Sequence, residues 1–434
     1  MKRYYEKALE TMPRADLEKM QLKRLQTLVK YVYENCRFYR KKMDEIDIKA
    51  SDIKCLGDLK KLPFTTKQDL RDNYPYGMFS APVNEIVRIH ASSGTTGKLT
   101  VAGYTQNDID VWSTVMARSL AACDCSNNSI VNVAYGYGLF TGGLGAHYGS
   151  ELLGALTIPA SSGNSKRQLQ MFKDFKVTTL CCTPSYALYL ADEMKNEGYS
   201  ISDLNLKQGL FGAEPWSEEM RVQIEKKLGL KAYNIYGLSE IIGPGVSIEC
   251  EHQNGSHIWE DHFLPEIINP ETLEPLEYGQ QGELVFTTIS KTGMPLLRYR
   301  TRDLCSIIDE PCKCGRTHVR MTKVIGRSDD MLIIGGVNVF PSQIESALFT
   351  VKGIEPHYQI IVDRINNLDK IEIHVELEDE LFSDEVKNLQ NLKTQLEKNV
   401  ASAISISVKI HFVSRGTIER SIGKAVRVID KRRI

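Results

Sequence analysis

Between residues 86 and 290, short runs of β-forming residues alternate with stretches of helical periodicity, and no other property of the chain restricts its fold as much. Ile130-Val131-Asn132-Val133-Ala134, Val177-Thr178-Thr179-Leu180-Cys181 and Gly282-Glu283-Leu284-Val285-Phe286-Thr287-Thr288 read as strands. The segments 165–176 and 217–228 between them read as helices, and the alternation predicts an α/β architecture. Upstream, Leu17, Met20, Leu22, Leu25, Leu28, Val29 and Val32 recur at three- and four-residue steps, so 16–45 is expected to be helical, with its lysines and arginines on a solvated face.

At 434 residues the chain is too long for one compact core, and two or more domains are expected. Gly326-Arg327-Ser328-Asp329-Asp330 is polar and turn-rich and marks a boundary. Beyond it a strand is read at 331–334, and Ser342 and Glu345 have capping-box spacing for a helix over 342–351. Strands at 357–363, 370–377 and 407–413 enclose a helix at 383–402, which carries Val386, Leu389, Leu392, Leu396 and Val400 on one face. The expectation is a large α/β domain over 1–327 and a small α+β domain over 328–434.

A net charge of −1 provides no global field to attract nucleic acid or an anionic membrane. The chain start lacks the apolar stretch of a secretion signal, and no apolar run approaches the ~18 residues of a membrane span. Ten cysteines without a signal suggest reduced thiols or metal ligands, and a cytoplasmic location is expected.

The densest chemical signal is Ala91-Ser92-Ser93-Gly94-Thr95-Thr96-Gly97-Lys98, which follows the strand-like run Ile86-Val87-Arg88-Ile89-His90. Glycines let backbone N–H groups close around an anion; Ser92, Ser93, Thr95 and Thr96 add hydroxyls, and Lys98 adds a positive charge. This reads as a phosphate cradle, yet it fails the G-x-x-x-x-G-K-[ST] template: Ser92 stands at the first glycine position and Leu99 follows the lysine.

A second constellation consists of thiols and imidazoles. Cys312-Lys313-Cys314-Gly315 presents two thiolates on one turn, and Cys250 and His257 lie upstream. Cys250, His257, Cys312 and Cys314 make a chemically sound tetrahedral zinc site of structural type, with His252 and His318 as reserve ligands.

Further clusters follow in order. In Tyr233-Asn234-Ile235-Tyr236-Gly237-Leu238-Ser239-Glu240 an aromatic next to glycine can stack on a base, while a hydroxyl and a carboxylate can hold a phosphate and Mg²⁺. In Arg298-Tyr299-Arg300-Thr301-Arg302-Asp303, Asp303 can accept two ribose hydroxyls. The run 326–330 and Gly423-Lys424 complete the set. Together these resemble the acyl-adenylate-forming superfamily of acyl-coenzyme A synthetases, adenylation domains and luciferases. Leu62-Pro63-Phe64-Thr65-Thr66-Lys67, Tyr135-Gly136-Tyr137-Gly138-Leu139-Phe140-Thr141-Gly142-Gly143 and the run from Gly326 to Glu345 narrow the resemblance to the phenylacetate–coenzyme A ligase branch.

The resemblance implies a small, mobile C-terminal domain, ATP, Mg²⁺ and coenzyme A as cofactors, and a homodimer. In it the 92–98 loop (Ser92, Ser93, Gly94, Thr95, Thr96, Gly97, Lys98) holds the β- and γ-phosphates. Tyr236, flanked by Asn234, Ile235 and Gly237, packs on adenine, with Gly212, Ala213 and Glu214 on its other side. Ser239 contacts the α-phosphate and Glu240 binds Mg²⁺. Asp303 and Arg327 hold the ribose, and Asp329 is the hinge. Lys424 serves adenylation, and Gly335 and Gly336 line the pantetheine channel for thioester formation. Tyr135, Tyr137 and Phe140 with nearby glycines, facing Ile241 and Pro244, are expected to form the aryl-acid pocket.

The chain departs from the commonest pattern at Leu99-Thr100, where proline and lysine are frequent, and at Ser239, where threonine is usual and the hydroxyl is kept. Two other readings compete with ligation: an adenylyltransferase that forms no thioester, and a zinc-bearing module that contacts nucleic acid. The near-zero charge opposes the latter.

Overall fold

The computed structural model describes residues 4–92, 99–328, 330–334, 337–351, 353–365, 368–377, 386–420 and 425–432. Its centre is a nine-stranded sheet. Leu156–Ile158, Ile130–Val133, Thr179–Cys182, Gln208–Gly212 and Lys231–Leu238 run parallel, and Gly243–Glu249, Ser256–Ile258, Arg320–Met321 and Ile307–Ile308 continue the sheet antiparallel. The parallel strands are buried on both faces, and alternation along them sorts side chains into two cores. Val131, Val133, Cys181, Leu210, Tyr233 and Ile235 join the helix Gln106–Ala122 and the N-terminal helices in one core. Leu180, Cys182, Phe211 and Ala232 join the helices Ser165–Asp174, Pro184–Asn196 and Glu218–Leu228 in the other.

The helical periodicity of 16–45 is present but broken. Arg14–Asn35 and Arg37–Glu45 are separate helices, because Cys36 takes extended backbone (φ −114°, ψ 112°) and buries its side chain. An antiparallel sheet of Phe263–Ile268, Gly282–Thr288, Tyr299–Cys305 and Gly326–Arg327 abuts the main sheet, and Arg88–Ser92 pairs with Thr100–Tyr104 in a hairpin. None of the described helices is long and apolar enough to cross a membrane.

The small C-terminal domain has its own core. The strands Lys409–Val413, Leu368–Leu377, Ile354–Ile365 and Val428–Asp430 form one sheet, covered by the helices Pro341–Phe349 and Val386–Ile404. Leu396 and Val400 are fully buried, as the helical face predicts. The capping box is displaced from its expected place. Phe340 is the cap, Pro341 takes the first helical position, and the Gln343 side chain accepts from the Phe340 N–H at 3.0 Å. Ser342 instead donates to the Ile325 carbonyl, and Glu345 is buried against the large domain.

Polar groups join the domains. Glu345 Oε1 accepts from the Ser217 N–H at 2.9 Å, and its Oε2 accepts from Tyr358 Oη at 2.7 Å. Asp192 of the large domain meets Lys227 at 3.4 Å, His357 at 3.3 Å and Arg415 at 3.3 Å, and Lys227 reaches Glu355 at 3.0 Å.

Candidate active site

The strand Lys231–Leu238 ends where the sheet changes from parallel to antiparallel, and its tip carries Asn234, Ile235, Tyr236 and Gly237. In open α/β sheets, ligands bind in the crevice outside the carboxyl ends of the strands. The chain packs tightly there. A Cβ on Gly237 would lie 1.8 Å from the Gly243 carbonyl oxygen, and one on Gly212 would lie 2.2 Å from the Ile235 carbonyl oxygen. Only glycine permits these approaches.

The turn after the strand is gripped from beneath. Tyr104 Oη donates to the Ser239 carbonyl at 2.8 Å, and Lys291 Nζ donates to the Glu240 carbonyl at 3.0 Å. The Lys291 ammonium lies 4.5 Å from the Tyr104 ring centroid. Burial draws the Lys291 pKa down to about 8, opposed by the negative charges of Asp108 and Glu240. On the upper side, Ser239 Oγ and Thr141 Oγ1 are 3.1 Å apart, Ser92 Oγ donates to Glu240 Oε1 at 3.4 Å, and Lys67 Nζ lies 3.4 Å from the same oxygen. Ser92 of the glycine-rich loop and Glu240 of the motif that begins at Tyr233, read separately in the sequence, therefore meet at one place. Lys291 and Tyr104 escaped sequence reading; Lys291 in Ser290-Lys291-Thr292-Gly293 and Tyr104 at a strand end carry no local sign of what they hold.

Tyr236, Asp303 and Arg327 also come together. Tyr236 Oη donates to Asp303 Oδ2 at 2.5 Å, and Arg327 Nε lies 3.6 Å from Asp303 Oδ1. Arg327 faces Asp303 directly in the strand register. Burial, then the Asp303 charge, pushes the Tyr236 phenol well up, so it stays a donor. The neighbouring arginines of the same motif serve the scaffold: Arg298 forms a fork on Glu266 at 3.0 and 2.9 Å, and Arg300 one on Glu283 at 3.0 and 2.6 Å. The Asn234 side chain accepts from Trp216 Nε1 at 2.8 Å.

Glu214 follows Ala213, whose φ of 72° is left-handed. Its Oε1 accepts from the Ser185 N–H at 2.7 Å and its Oε2 from the Ala425 N–H at 2.9 Å, the latter across 211 residues of chain. Ser93, Gly94, Thr95, Thr96, Gly97, Lys98, Asp329, Gly335, Gly336 and Lys424 lie outside the described residues.

Of the expected acid-pocket residues, Tyr137 and Pro244 flank the helix Gly142–Leu153 at its small residues. A Cβ on Gly143 would lie 3.0 Å from the Tyr137 ring and one on Gly145 2.8 Å from Pro244 Cγ. Tyr137 Oη and His147 Nδ1 share a hydrogen bond of 3.2 Å. Tyr135 donates to the Leu210 carbonyl at 3.2 Å, and it and Ile241 are buried in the core, whereas Phe140 stands 56% exposed.

The four residues expected to bind a metal converge. One ligand atom from each of Cys250, His257, Cys312 and Cys314 lies within 4.8 Å of the others. The Cys250 and Cys312 sulfurs are 3.7 Å apart, and Cys314 Sγ is 3.3 Å from His257 Nε2. A zinc tetrahedron with ~2.3 Å Zn–S and ~2.0 Å Zn–N bonds needs separations of about 3.8 and 3.5 Å, so these residues fit that ion. His257 Nδ1 lies 3.2 Å from the His318 carbonyl, which directs Nε2 into the cluster. The His318 ring is engaged elsewhere, with the Glu260 N–H and the Leu9 carbonyl. The chain start packs on this loop: Glu10 and Arg316, both fully buried, pair at 2.8 Å, and Thr317 donates to the Met12 carbonyl at 2.7 Å.

The model of the AMP-binding enzyme family matches residues 37–292, and that of the AMP-binding enzyme C-terminal domain matches residues 336–432. Phenylacetate-coenzyme A ligase of Thermus thermophilus is 49% identical over 99% of this chain and 100% of its own. The enzyme of that name from Pseudomonas putida is 51% identical over 98% and 96%. Among solved structures, 2-hydroxyisobutyryl-CoA ligase in the postadenylation state with 2-HIB-AMP superposes with a TM-score of 0.94 at 30% identity, covering 99% of this chain and 92% of that one. The same protein with 2-HIB-AMP and CoA in the thioesterification state gives 0.74 at 30% identity, over 99% and 93%. The fold, the two matched family models and near-full-length identity to these ligases agree: the chain belongs to the phenylacetate–coenzyme A ligase family of acyl-adenylate-forming, AMP-binding enzymes.

Proposed function

We propose that the protein joins an aryl acid, phenylacetate, to coenzyme A at the expense of ATP, through an acyl-adenylate, with release of AMP and pyrophosphate. The observation that carries this reading is the meeting of Tyr236, Asp303 and Arg327 beside Ser239, Glu240 and Ser92 at the carboxyl end of the strand Lys231–Leu238. In this reading Asp303 and Arg327 bind the ribose, Tyr236 packs on adenine, Ser239 meets the α-phosphate, and the loop from Ser92 to Lys98 holds the departing pyrophosphate. A carboxylate is a poor acyl donor; adenylation gives it a good leaving group. Negative charge accumulates at the α-phosphate in that step, and Lys424 is the cation placed against it.

Glu240 is the candidate Mg²⁺ ligand. Its carboxylate is a hard oxygen donor beside a hydroxyl and a lysine, which suits a magnesium–phosphate site, and the ion would supply charge neutralisation there. The zinc of Cys250, His257, Cys312 and Cys314 is structural in this reading, because four protein ligands leave no open position. The domain boundary falls after Arg327, the last strand residue of the large domain's antiparallel sheet, and Asp329 is the hinge. Rotation there takes Lys424 out and brings Gly335 and Gly336 to the pantetheine. A cytoplasmic homodimer completes the reading.

The test is AMP formation across a panel of aryl acids with and without coenzyme A. Turnover that requires coenzyme A and is fastest with phenylacetate is the expected result. Continuous pyrophosphate release without coenzyme A would favour the adenylyltransferase reading instead.

A further inference from the structure

Glu214 connects two parts of the molecule that the reaction must bring together and then separate. We propose that it is a positioning residue for adenylation: its carboxylate fastens the chain immediately after Lys424 to the large domain. The inference rests on the proposed function, in which Lys424 is the adenylation lysine.

Both oxygens of the carboxylate are committed. Oε1 accepts from the Ser185 N–H at 2.7 Å, in the first turn of the helix Pro184–Asn196, and Oε2 accepts from the Ala425 N–H at 2.9 Å. A carboxylate at a helix N-terminus interacts favourably with the helix dipole, which adds to the hydrogen bond in holding the side chain there. The residue before Glu214, Ala213, holds a left-handed φ of 72°. A second tie lies two residues on, where Arg427 Nη2 donates to Ser185 Oγ at 3.3 Å. The Arg427 guanidinium also lies 4.5 Å from the Tyr358 ring centroid, and Tyr358 donates to Glu345, which accepts from the Ser217 N–H. Segment 425–427 is thus held at both ends against one helix start. Ala425 follows Lys424 directly, so holding its N–H fixes the chain next to that lysine.

Charge-assisted bonds to backbone N–H groups are strong while formed, and water can replace them when a domain leaves. The arrangement that contains this clamp superposes on the postadenylation structure of the related ligase with a TM-score of 0.94, against 0.74 for the thioesterification structure.

Glu214→Gln keeps the side chain's shape but offers one accepting oxygen in place of two. Ala425→Pro removes the donor and leaves Glu214 intact. Two half-reactions are measured in the full-length enzyme: pyrophosphate release in a single turnover with saturating ATP and no coenzyme A, and thioester formation from preformed phenylacetyl-AMP and coenzyme A. Both variants should slow the first at least tenfold, and Ala425→Pro, which leaves the Glu214 carboxylate in place, should keep the KM for ATP and the second half-reaction within twofold of wild type. The double variant should be no slower than the slower single one, because both changes break the same bond. Three results would overturn the proposal: a raised KM for ATP with an intact rate at saturation, which assigns the carboxylate to adenine; equal losses in both half-reactions, which makes it a fold contact; or an unchanged first half-reaction. Wild-type enzyme that releases no pyrophosphate with any aryl acid would sink the functional reading itself, and the proposal with it.

Discussion

Gly237→Ala is the sharpest test of how the nucleotide site is built. The new Cβ would sit 1.8 Å from the Gly243 carbonyl oxygen, about 1.6 Å short of ordinary contact at 3.4 Å, with the Gly243 carbonyl carbon at 2.7 Å and Pro244 Cα at 2.8 Å. All three obstacles are backbone atoms, so no side-chain rotation relieves the clash. The strands Lys231–Leu238 and Gly243–Glu249 must part at their tip, where the register already shifts between Tyr236 and Gly237. Overpacking of this kind costs ~1–3 kcal/mol of stability. The larger consequence is functional, because the turn between these strands carries Ser239 and Glu240, and a displacement near 1 Å at a reacting centre costs ~100-fold in rate. AMP formation with phenylacetate, ATP and coenzyme A should therefore fall about 100-fold in kcat/KM. Gly57→Ala is the control: its Cβ meets only Cys55 Sγ at 3.6 Å, so activity should not change. If Gly237→Ala retained activity within threefold of wild type, the close approach would not be what places the turn.

Two further outcomes follow from groups away from the nucleotide. The purified protein should contain about one zinc ion per chain, and Cys312→Ala should abolish this, lower the thermal midpoint and expose segment 4–12 to protease. Metal analysis and limited proteolysis check it, and a metal-free wild type of unaltered stability would refute it. Burial pushes the Asp192 carboxyl up, but the hydrogen bond from His357 and the charges of Lys227, His357 and Arg415 outweigh this and hold its pKa down to about 2. A depressed carboxyl pKa stabilises above its unfolded value of 3.8 and ceases to do so as pH falls towards 2. The difference amounts to about 2 kcal/mol, so between pH 4 and pH 2 the wild type should lose stability more steeply than Asp192→Asn. Equal slopes in thermal melts would rule out the assignment.

What was legible in the sequence was what repeats locally. The strand Gly282–Thr288 lies where its run of β-forming residues placed it, and Tyr236, Glu240, Asp303 and Arg327 sat in short motifs that pointed to a nucleotide only when taken together in their order. The convergence of Cys250, His257, Cys312 and Cys314 was legible because thiol and imidazole are rare enough to be paired by type alone. What stayed hidden was partnership across the chain. Nothing near Lys291 points to the Glu240 carbonyl, and nothing near Glu214 points to Ala425. The capping box failed for a related reason: Ser342 and Glu345 have the right spacing, but proline at 341 sets the helix start and Glu345 has a stronger partner in another domain. The break at Cys36 was equally unreadable, since its burial is imposed by the core around it.

The pairing of Glu10 with Arg316 spans 306 residues and ties the chain's beginning to the loop of Cys312 and Cys314. During synthesis the arginine that pairs with Glu10 is therefore missing until roughly three quarters of these 434 residues have been made. Glu6 can already pair with Arg118, so the segment docks in stages, and the buried charge of Glu10 is the part neutralised last.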